Sequence, residues 1–329
     1  MQGKRVVVTG GTGFVGANLV RRLLRDGHRV CLLVRHNYDP WRIEEIRADI
    51  EIREVDLGDR PAVTQAVGEI RPAWVFHLAA YGAYSWQKHL PMMVRTNIVS
   101  TINLVQACHK SGCEVFVNTG SSSEYGSQDH ACTEDELPQP KSHYAVTKLG
   151  ATVFCQSSAR GQKMLIPTLR LYSVYGPFED PFRLLPALIL NGLRGRLPPL
   201  VDPAAAHDFV YIDDVIDAYV LAAKSPLRAP GAVYNVGSGT QVSLREAVAI
   251  ARRLMPVAQE PVWGSMQSRG RDERVWIADT GKIRRELGWT PRYTFEEGFS
   301  AFITWFTREP ARVEAYRKRI NAHGAPARS

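Results

Sequence analysis

A tyrosine and a lysine four residues apart are the first candidates for chemistry in this sequence. Residues 144–148 read Tyr-Ala-Val-Thr-Lys, and the i, i+4 spacing on a helix places Tyr144 and Lys148 on one face. A tyrosine that exchanges a proton near neutral pH needs its pKa lowered by roughly three units, or about 4 kcal/mol. A nearby ammonium lowers that pKa because it favours the phenolate. The pair predicts an acid–base site, although the same spacing also occurs in exposed helix pairs.

A serine-rich segment lies one strand–helix unit before this pair. Residues 119–126 read Thr-Gly-Ser-Ser-Ser-Glu-Tyr-Gly and follow an apolar run that is typical of a buried parallel strand. Open sheets bind their ligands at the carboxyl ends of such strands. A serine hydroxyl at this end can donate a hydrogen bond to the oxygen that reacts with the tyrosine. The two segments together predict a catalytic centre.

Three glycines separate the first predicted strand from the first predicted helix. Residues 8–16 read Val-Thr-Gly-Gly-Thr-Gly-Phe-Val-Gly, with glycine at positions 10, 13 and 16. Bare backbone lets a pyrophosphate approach the N–H groups of the helix N-terminus, and the last glycine lets the helix pack against the strand. Glycines also mark ordinary tight turns. Between a strand and a helix, however, this spacing predicts a dinucleotide site.

The end of the second predicted strand favours NADP(H) over NAD(H). That strand ends Leu-Val-Arg-His at residues 33–36, and the first carboxylate after it is Asp39. Enzymes that use NAD usually place a carboxylate here to bind the adenosine ribose. The guanidinium of Arg35 can instead hold a 2′-phosphate. The alternative is that Arg35 is an ordinary surface residue.

Strands and helices alternate through the first half of the chain. Apolar runs predict strands at 4–9, 28–34, 50–55, 73–78, 114–119 and 163–169, and amphipathic patterns predict helices at 14–25, 60–70, 92–111 and 144–160. This alternation predicts an α/β fold with a doubly wound parallel sheet. Prolines interrupt the pattern after residue 176. We therefore expect a dinucleotide-binding domain over 1–176, with 208–224 returning to it, and a smaller lobe over most of 177–329.

Composition excludes several other classes. The chain has 329 residues, 45% of them apolar and 22% charged, and no apolar run is long enough to span a bilayer. The net charge of +8 favours binding of an anionic ligand. Phosphorylated metabolites are favoured over nucleic acid, because the sequence has no basic stripe interleaved with aromatic residues. Five scattered cysteines without a C-x-x-C pair argue against disulfides and a metal site, and favour a reducing, cytoplasmic location.

Taken in order, these motifs resemble the extended short-chain dehydrogenase/reductases, the family of nucleotide-sugar epimerases, dehydratases and reductases. The resemblance covers roughly residues 4–307. Further matching segments are 56–57 (Asp-Leu), 77–80 (His-Leu-Ala-Ala), Asn97, 170–177 (Arg-Leu-Tyr-Ser-Val-Tyr-Gly-Pro), 208–214, 234–237 and 287–289. The resemblance implies a Rossmann sheet with a smaller C-terminal substrate-binding lobe, a nicotinamide cofactor and a nucleotide-sugar substrate.

The resemblance also assigns residue roles. The catalytic residues would be Ser121, Tyr144 and Lys148. The cofactor residues would be Gly10, Thr12, Gly13, Phe14, Val15, Gly16, Arg35, Asp56, Leu57, Leu78, Ala79, Ala80 and Asn97, together with Tyr144 and Lys148. Asp56 and Leu57 would meet the adenine, and Ala79 the ribose or nicotinamide. Without the family, Asp56 reads as a turn residue, Ala79 as core, and Asn97 as a helix residue that satisfies backbone groups.

Three reactions follow from the resemblance. Dehydratases of this family carry an acid–base pair directly after the catalytic Ser/Thr, where this chain has Ser122 and Ser123, which cannot act as acids near pH 7. Glu124 follows one position later, and a loop shift could bring it in. The serine segment is similar to that of the 4-keto-6-deoxy nucleotide-sugar reductases, and Arg35 favours NADPH, so we expect a reductase first. An epimerase that retains its cofactor is the alternative.

The substrate side departs from the family's common pattern. Many members have Asn where Ser173 stands and Arg where His207 stands, and those residues typically contact the pyrophosphate of the substrate. Arg269, with Asp272, resembles a later family segment and is the substitute contact, unless it belongs to a solvated basic loop. The remaining expected substrate residues are Tyr81, Ser122 and Ser123, while Tyr84 and Trp86 line either the sugar pocket or a contact between lobes.

Two further expectations concern the state of the protein. Family analogy implies a homodimer that packs the helices at 92–111 and 144–160 into a four-helix interface. A protein that binds the dinucleotide only as a sensor is a different class, and such proteins usually lose the Tyr/Lys pair that is intact here. We expect no nucleic-acid or membrane partner.

Overall fold

The predicted apolar runs form strands of a central sheet. The computed structural model describes residues 3–160, 164–225, 229–266 and 275–323. The strands are β1 (Arg5–Thr9), β2 (Arg29–Val34), β3 (Glu51–Glu54), β4 (Trp74–His77), β5 (Val115–Ser121), β6 (Thr168–Leu171), β7 (Ser173–Tyr175), β8 (Ala206–Tyr211), β9 (Val233–Val236) and β10 (Gln241–Ser243). Seven of them pair in parallel in the order β3-β2-β1-β4-β5-β6-β9.

Eleven α-helices connect or cover these strands within the described ranges. They are α1 (Phe14–Arg25), α2 (Arg60–Ile70), α3 (Leu90–Val94), α4 (Ser100–Ser111), α5 (His143–Ala159), α6 (Leu184–Gly192), α7 (Ile212–Lys224), α8 (Leu244–Leu254), α9 (Gly281–Leu287), α10 (Phe295–Arg308) and α11 (Pro310–His323). Short 3₁₀ turns lie at Glu44–Asp49 and Ser122–Tyr125, and a π-helical turn at Arg95–Val99. None of the described helices is long and apolar enough to cross a membrane.

Both faces of the large sheet are buried, which explains why its strands are continuous apolar runs. Val6 and Val8 of β1 point to one apolar cluster, and Val7 between them points to the other. Helices α1 and α7 pack together on the first side, and α2 and α4 on the second. The doubly wound Rossmann fold expected from the sequence is confirmed. Its strand order reverses between β1 and β4, where such sheets bind ligands.

A second sheet has three strands in the order β10-β8-β7. Helix α7 follows β8 and packs against α1 and β5 of the large sheet. Strand β9 also joins the large sheet, beside β6, although it lies beyond the 208–224 segment expected to return. The boundary between the two lobes stays a prediction.

The helix predicted over 92–111 is interrupted. It runs as α3, then the π-helical turn, then α4, so one wide turn lies in its middle. Asn97 lies in this turn and is buried. A π turn inserts an extra residue into a helix and is common at functional sites. Periodicity did not reveal it, because the apolar pattern continues through both flanking helices.

Candidate active site

The glycine loop forms a close-fitting turn after β1. Gly10 has φ +68°, and a Cβ atom there would lie 2.6 Å from the backbone nitrogen of Ala79. A Cβ atom at Gly16 would lie 2.2 Å from the carbonyl oxygen of Gly10. Both neighbours are backbone atoms, so neither position accepts a side chain without a loop shift. Close approach of neighbouring backbone atoms therefore explains why positions 10 and 16 hold glycine.

The N-terminus of α1 is suited to an anion. Gly13 occupies its N-cap position, and within the described structure no side chain caps it and its first turn is free of acidic residues. The first N–H groups of this 12-residue helix, from Phe14 onward, therefore lack side-chain acceptors. Together with the glycine cradle, this geometry fits the pyrophosphate of a dinucleotide. Thr12 contributes its carbonyl oxygen to a hydrogen bond from the Arg42 guanidinium at 3.4 Å.

The expected adenosine residues lie at the ends of β2 and β3. Arg35 follows β2 and is exposed. Asp56 is exposed as well, and it accepts hydrogen bonds from Arg95 (2.8 Å) and from the backbone N–H of Gly58 (2.8 Å). The hydrogen bond from Arg95 holds the pKa of Asp56 below its usual value. Leu57, half-buried beside it, offers its carbonyl oxygen to Asn103 (3.0 Å).

A buried polar chain joins β1 to β4 below the cradle. Nδ1 of His77 lies 2.7 Å from the Thr9 hydroxyl, and Nε2 lies 3.0 Å from the Thr101 hydroxyl. Burial lowers the pKa of His77 to about 3, so the ring is neutral. The Thr9 hydroxyl also accepts the N–H of Ala79 at 3.3 Å. This chain holds the segment with Leu78, Ala79 and Ala80 against the glycine loop.

Asn97 is satisfied entirely within the protein. Its Oδ1 accepts the N–H of Tyr81 (2.9 Å), and its Nδ2 donates to the Tyr81 carbonyl (2.8 Å) and to the Thr147 hydroxyl (2.9 Å). These bonds connect the loop after β4 to α5. Asn97 therefore positions Tyr81 and α5, in agreement with the second of the two sequence interpretations.

Ser121, Tyr144 and Lys148 meet at the carboxyl end of β5. The Ser121 hydroxyl is hydrogen-bonded to the Tyr144 hydroxyl and lies 2.8 Å from the Ser123 hydroxyl. Lys148 extends from the next turn of α5, and its Nζ donates to the Thr119 carbonyl at 2.5 Å. Lys148 is buried, and Tyr144 is half-buried. The predicted trio is thus assembled in space.

The electrostatics of Tyr144 differ from the sequence expectation. Burial raises the pKa of Tyr144 to about 12; the Ser121 hydrogen bond lowers it, the Glu124 carboxylate raises it, and the Arg183 guanidinium lowers it. Burial also lowers the pKa of Lys148. The protein's own groups therefore keep Tyr144 protonated at neutral pH, because desolvation outweighs the favourable charges.

Glu124 is hydrogen-bonded to protein groups beneath Ser121, Tyr144 and Lys148, and it does not face the expected sugar site. Its side chain is 0% exposed. One carboxylate oxygen accepts the N–H of Ser121 (2.8 Å) and the hydroxyl of Thr152 (3.2 Å), and the other accepts Nε of Arg170 (2.9 Å). A loop shift that freed Glu124 as a dehydratase acid would leave Arg170 buried and unpaired. The expectation that such a shift is available is therefore not supported.

The loop after β4 stands beside the catalytic tyrosine. A Cβ atom at Gly82 would lie 3.1 Å from the Tyr144 ring. Tyr84 stacks on Trp86 with ring centroids 4.5 Å apart, and the Arg183 guanidinium lies 5.0 Å from the Tyr84 ring. Arg183 also donates to the Ala83 carbonyl at 3.3 Å. The stacked rings of Tyr84 and Trp86, together with the Arg183 guanidinium, therefore flank the site.

The expected substrate residues lie at separate places in the fold. Ser122 is buried beside a cleft whose other walls include Tyr125, Gln128, Tyr172 and Trp276. Ser173 lies on β7 and His207 on the neighbouring β8, in the small sheet. Arg269 and Asp272 lie outside the described residues. No group of three or more His, Cys, Asp or Glu side chains in the described chain is arranged to hold a metal.

Sequence reasoning missed three charged residues near the site. Arg170 was noted only as part of a matching segment, Arg183 was not noted, and the buried Glu179 was not noted either. Glu179 Oε2 finds no hydrogen-bond partner among the described residues, and burial raises the pKa of Glu179 to about 8. An acidic residue two positions after the Gly-Pro pair at 176–177 was the available signal, but it is also typical of a solvated loop.

Comparisons with known proteins agree on one family. A sequence model described as the NAD dependent epimerase/dehydratase family matches residues 6–237. A UDP-glucose 4-epimerase of Mycolicibacterium smegmatis is 30% identical, over 92% of this chain and 98% of that protein. A dTDP-glucose 4,6-dehydratase of Streptomyces antibioticus is 27% identical, over 98% of each. The solved structure of MoeE5 with UDP-glucuronic acid and NAD is 33% identical, with a TM-score of 0.79 over 92% of this chain and 99% of that one.

Proposed function

This chain belongs to the NAD-dependent epimerase/dehydratase family, and from that premise we propose that it is a nucleotide-sugar 4-epimerase. The observation that carries the proposal is the Ser121–Tyr144 hydrogen bond at the end of β5. Two serines follow Ser121, and the next residue, Glu124, is held by its ion pair with Arg170. This arrangement keeps the groups that move a proton to and from a hydroxyl. It lacks the acid–base pair that a dehydration needs.

The proposed reaction uses the catalytic trio twice. When bound, the nicotinamide supplies the hydride acceptor and then donor, and its oxidised form adds a positive charge that favours the phenolate of Tyr144. Tyr144 takes the proton from the sugar hydroxyl during oxidation and returns it during reduction. Ser121 donates a hydrogen bond to the same oxygen. Lys148, held by the Thr119 carbonyl, supplies an ammonium on the same face of α5.

Elimination of water is disfavoured by the residues after Ser121. A dehydratase must remove a proton from one carbon and expel a hydroxyl from the next, which requires an acid and a base. Ser122 and Ser123 occupy the positions of that pair, and Glu124 is committed to Arg170. The dehydratase relative at 27% identity therefore supports the family of this chain, and we do not extend its reaction here.

A reductase of a 4-keto-6-deoxy nucleotide-sugar remains the second candidate, because Arg35 favours NADPH as the donor. We propose NADP(H) as the preferred dinucleotide on the same ground. Two observations support it: Arg35 is exposed at the end of β2, and the nearby Asp39 is paired with Arg319. MoeE5, solved with NAD, is the counterexample within the family.

The substrate and assembly are proposed from the relatives and from the surface. The relatives named above act on or bind UDP- and dTDP-linked sugars, so we propose a nucleotide-linked hexose here. A homodimer through α3, α4 and α5 is supported by apolar side chains exposed on α3 and α5: Met92, Val94, Val146 and Val153. All five cysteines lie among the described residues, are buried and form no disulfide, so we propose a reducing, cytoplasmic setting.

The deciding experiment follows sugar inversion and cofactor consumption together. Purified enzyme is incubated with UDP-glucose and dTDP-glucose without added cofactor, and with 4-keto-6-deoxy nucleotide-sugars plus NADPH. An epimerase inverts the ordinary sugar, seen by NMR, with no net loss of nicotinamide absorbance. Stoichiometric NADPH loss with the keto-sugars and no inversion would instead establish the reductase.

A further inference from the structure

A buried ion pair lies directly beneath the catalytic serine. Glu124 and Arg170 are 46 residues apart in sequence, and their side chains are 0% and 4% exposed. Gly120 makes room for them, since a Cβ atom there would lie 2.9 Å from the Glu124 carboxylate and 3.0 Å from Cγ of Arg170. Arg170 also lies 4.5 Å from the Tyr125 ring centroid. Such a pair loses much hydration on burial and is weak evidence for stability alone.

The carboxylate of this pair contacts the backbone that carries Ser121. It accepts the Ser121 N–H at 2.8 Å, while the Ser121 hydroxyl bonds the Tyr144 hydroxyl. Because a single residue connects them, the Glu124 carboxylate and the Tyr144 oxygen lie within roughly 10 Å of each other. Two residues of β5 thus hold both sides of the site: Thr119 binds Lys148, and Ser121 binds Glu124.

Resting on the proposed function, we infer that the Glu124–Arg170 pair is a positioning device, which fixes the backbone of Ser121 and sets the local charge at Tyr144 and Lys148. The Glu124 carboxylate disfavours the phenolate of Tyr144 and favours the ammonium of Lys148. The pair therefore keeps both groups protonated, Tyr144 as a phenol and Lys148 as an ammonium, until a bound ligand favours release of the proton.

The charged and titratable groups around the pair and the site above it come from four elements. They are Arg170 on β6, Tyr144, Lys148 and Cys155 on α5, and Tyr125 in the 3₁₀ turn, with Arg183 at the N-cap of α6 facing Tyr144. Glu124 raises the pKa of both Tyr144 and Lys148, whereas Arg183 lowers that of Tyr144. Removing the carboxylate should therefore shift both groups toward lower pKa.

Three variants test the inference. Glu124→Gln keeps the volume and an oxygen for the Ser121 N–H but removes the charge. The double variant Glu124→Gln with Arg170→Met removes both charges, so no buried ion is left alone if the single variant fails to fold. Glu114→Gln is the matched control: it removes an exposed carboxylate at the opposite end of β5, roughly 23 Å from Ser121 along the strand.

The first readout does not depend on turnover. A fluorotyrosine at position 144 titrates within the pH range where the protein stays folded, and ¹⁹F NMR follows its ionisation. One charge at roughly 10 Å in a medium of effective dielectric constant about 20 is worth about one pKa unit. We expect a fall of about one unit in Glu124→Gln, a fall in the double variant, and no change in Glu114→Gln. An unchanged titration in folded Glu124 variants overturns the inference.

The second readout uses the epimerase assay with UDP-glucose. Both Glu124 variants lose the bond to Arg170 that anchors the side chain beneath Ser121, so kcat should fall at least tenfold with KM changed less than threefold, and the acid limb of the pH profile should move to lower pH. A purely structural role would lower the melting temperature without moving that limb, and this result would contradict the inference. If the wild type inverts no sugar, the proposed function fails, while the ¹⁹F titration still decides the inference.

Discussion

Replacing Gly16 by alanine tests whether the glycine cradle is built as tightly as its geometry indicates. The added Cβ would lie 2.2 Å from the Gly10 carbonyl oxygen and 2.8 Å from the Gly10 carbonyl carbon. Ordinary contacts begin near 3.4 Å, so the loop must move by about 1 Å. The same Gly10 oxygen accepts the N–H of Gly13 at 2.9 Å, and that turn would be distorted.

Two losses should follow from this displacement. Overpacking against rigid backbone lowers the free energy of unfolding by about 1–3 kcal/mol. Moving the first N–H groups of α1 by about 1 Å also weakens a charge-assisted hydrogen bond to the pyrophosphate, worth about 1.5–3 kcal/mol. Dinucleotide affinity should therefore fall by about tenfold to a hundredfold.

Gly68→Ala is the matched control, because this glycine also lies within a helix, α2, but has open space around its Cβ position. It should raise the free energy of unfolding by about 0.4–1 kcal/mol and leave binding unchanged. Denaturant unfolding and fluorescence titration with NADPH and NADH measure both effects. If Gly16→Ala unfolds and binds like Gly68→Ala, the cradle is not closed by backbone contact and the reasoning is wrong.

Three further predictions address the site. Tyr144→Phe should cut turnover about 100-fold or more and leave dinucleotide affinity nearly unchanged; activity above a tenth of wild type would contradict its role as the acid–base group. Arg35→Asp should weaken NADPH binding by about 1.5–3 kcal/mol and NADH binding much less, by parallel titration, whereas equal losses would show that Arg35 does not hold a 2′-phosphate. Burial raises the pKa of Glu179 from 4.5 to about 8, so the folded chain retains a proton that the unfolded chain releases, and stability declines as pH rises through that window. Glu179→Gln should remove up to about 4 kcal/mol of that decline between pH 5 and pH 8 in denaturant unfolding, and parallel pH slopes for both proteins would refute it.

Local sequence patterns predicted the sheet and the cradle well. The strands from β1 to β5 lie within two residues of their predicted bounds, because a strand buried on both faces is apolar throughout. The π-helical turn at Arg95–Val99 was not predicted, because the apolar pattern continues through it and the partners of its Asn97 lie 16 and 50 residues away in the chain. The reductase expectation from the serine segment is not supported by the relatives, and the reaction is now proposed as epimerisation.

The sequence by itself determined the fold class, the glycine cradle and the candidate trio. These depend on periodicity and on short-range backbone demands, and both act between residues that are close in the chain. Only the tertiary structure decided that Glu124 faces Arg170, that Arg183 reaches the loop at Ala83, and that the pKa of Tyr144 is raised. Those outcomes depend on which distant side chains are buried together, because desolvation and Coulomb interactions follow distance in space and not separation along the chain.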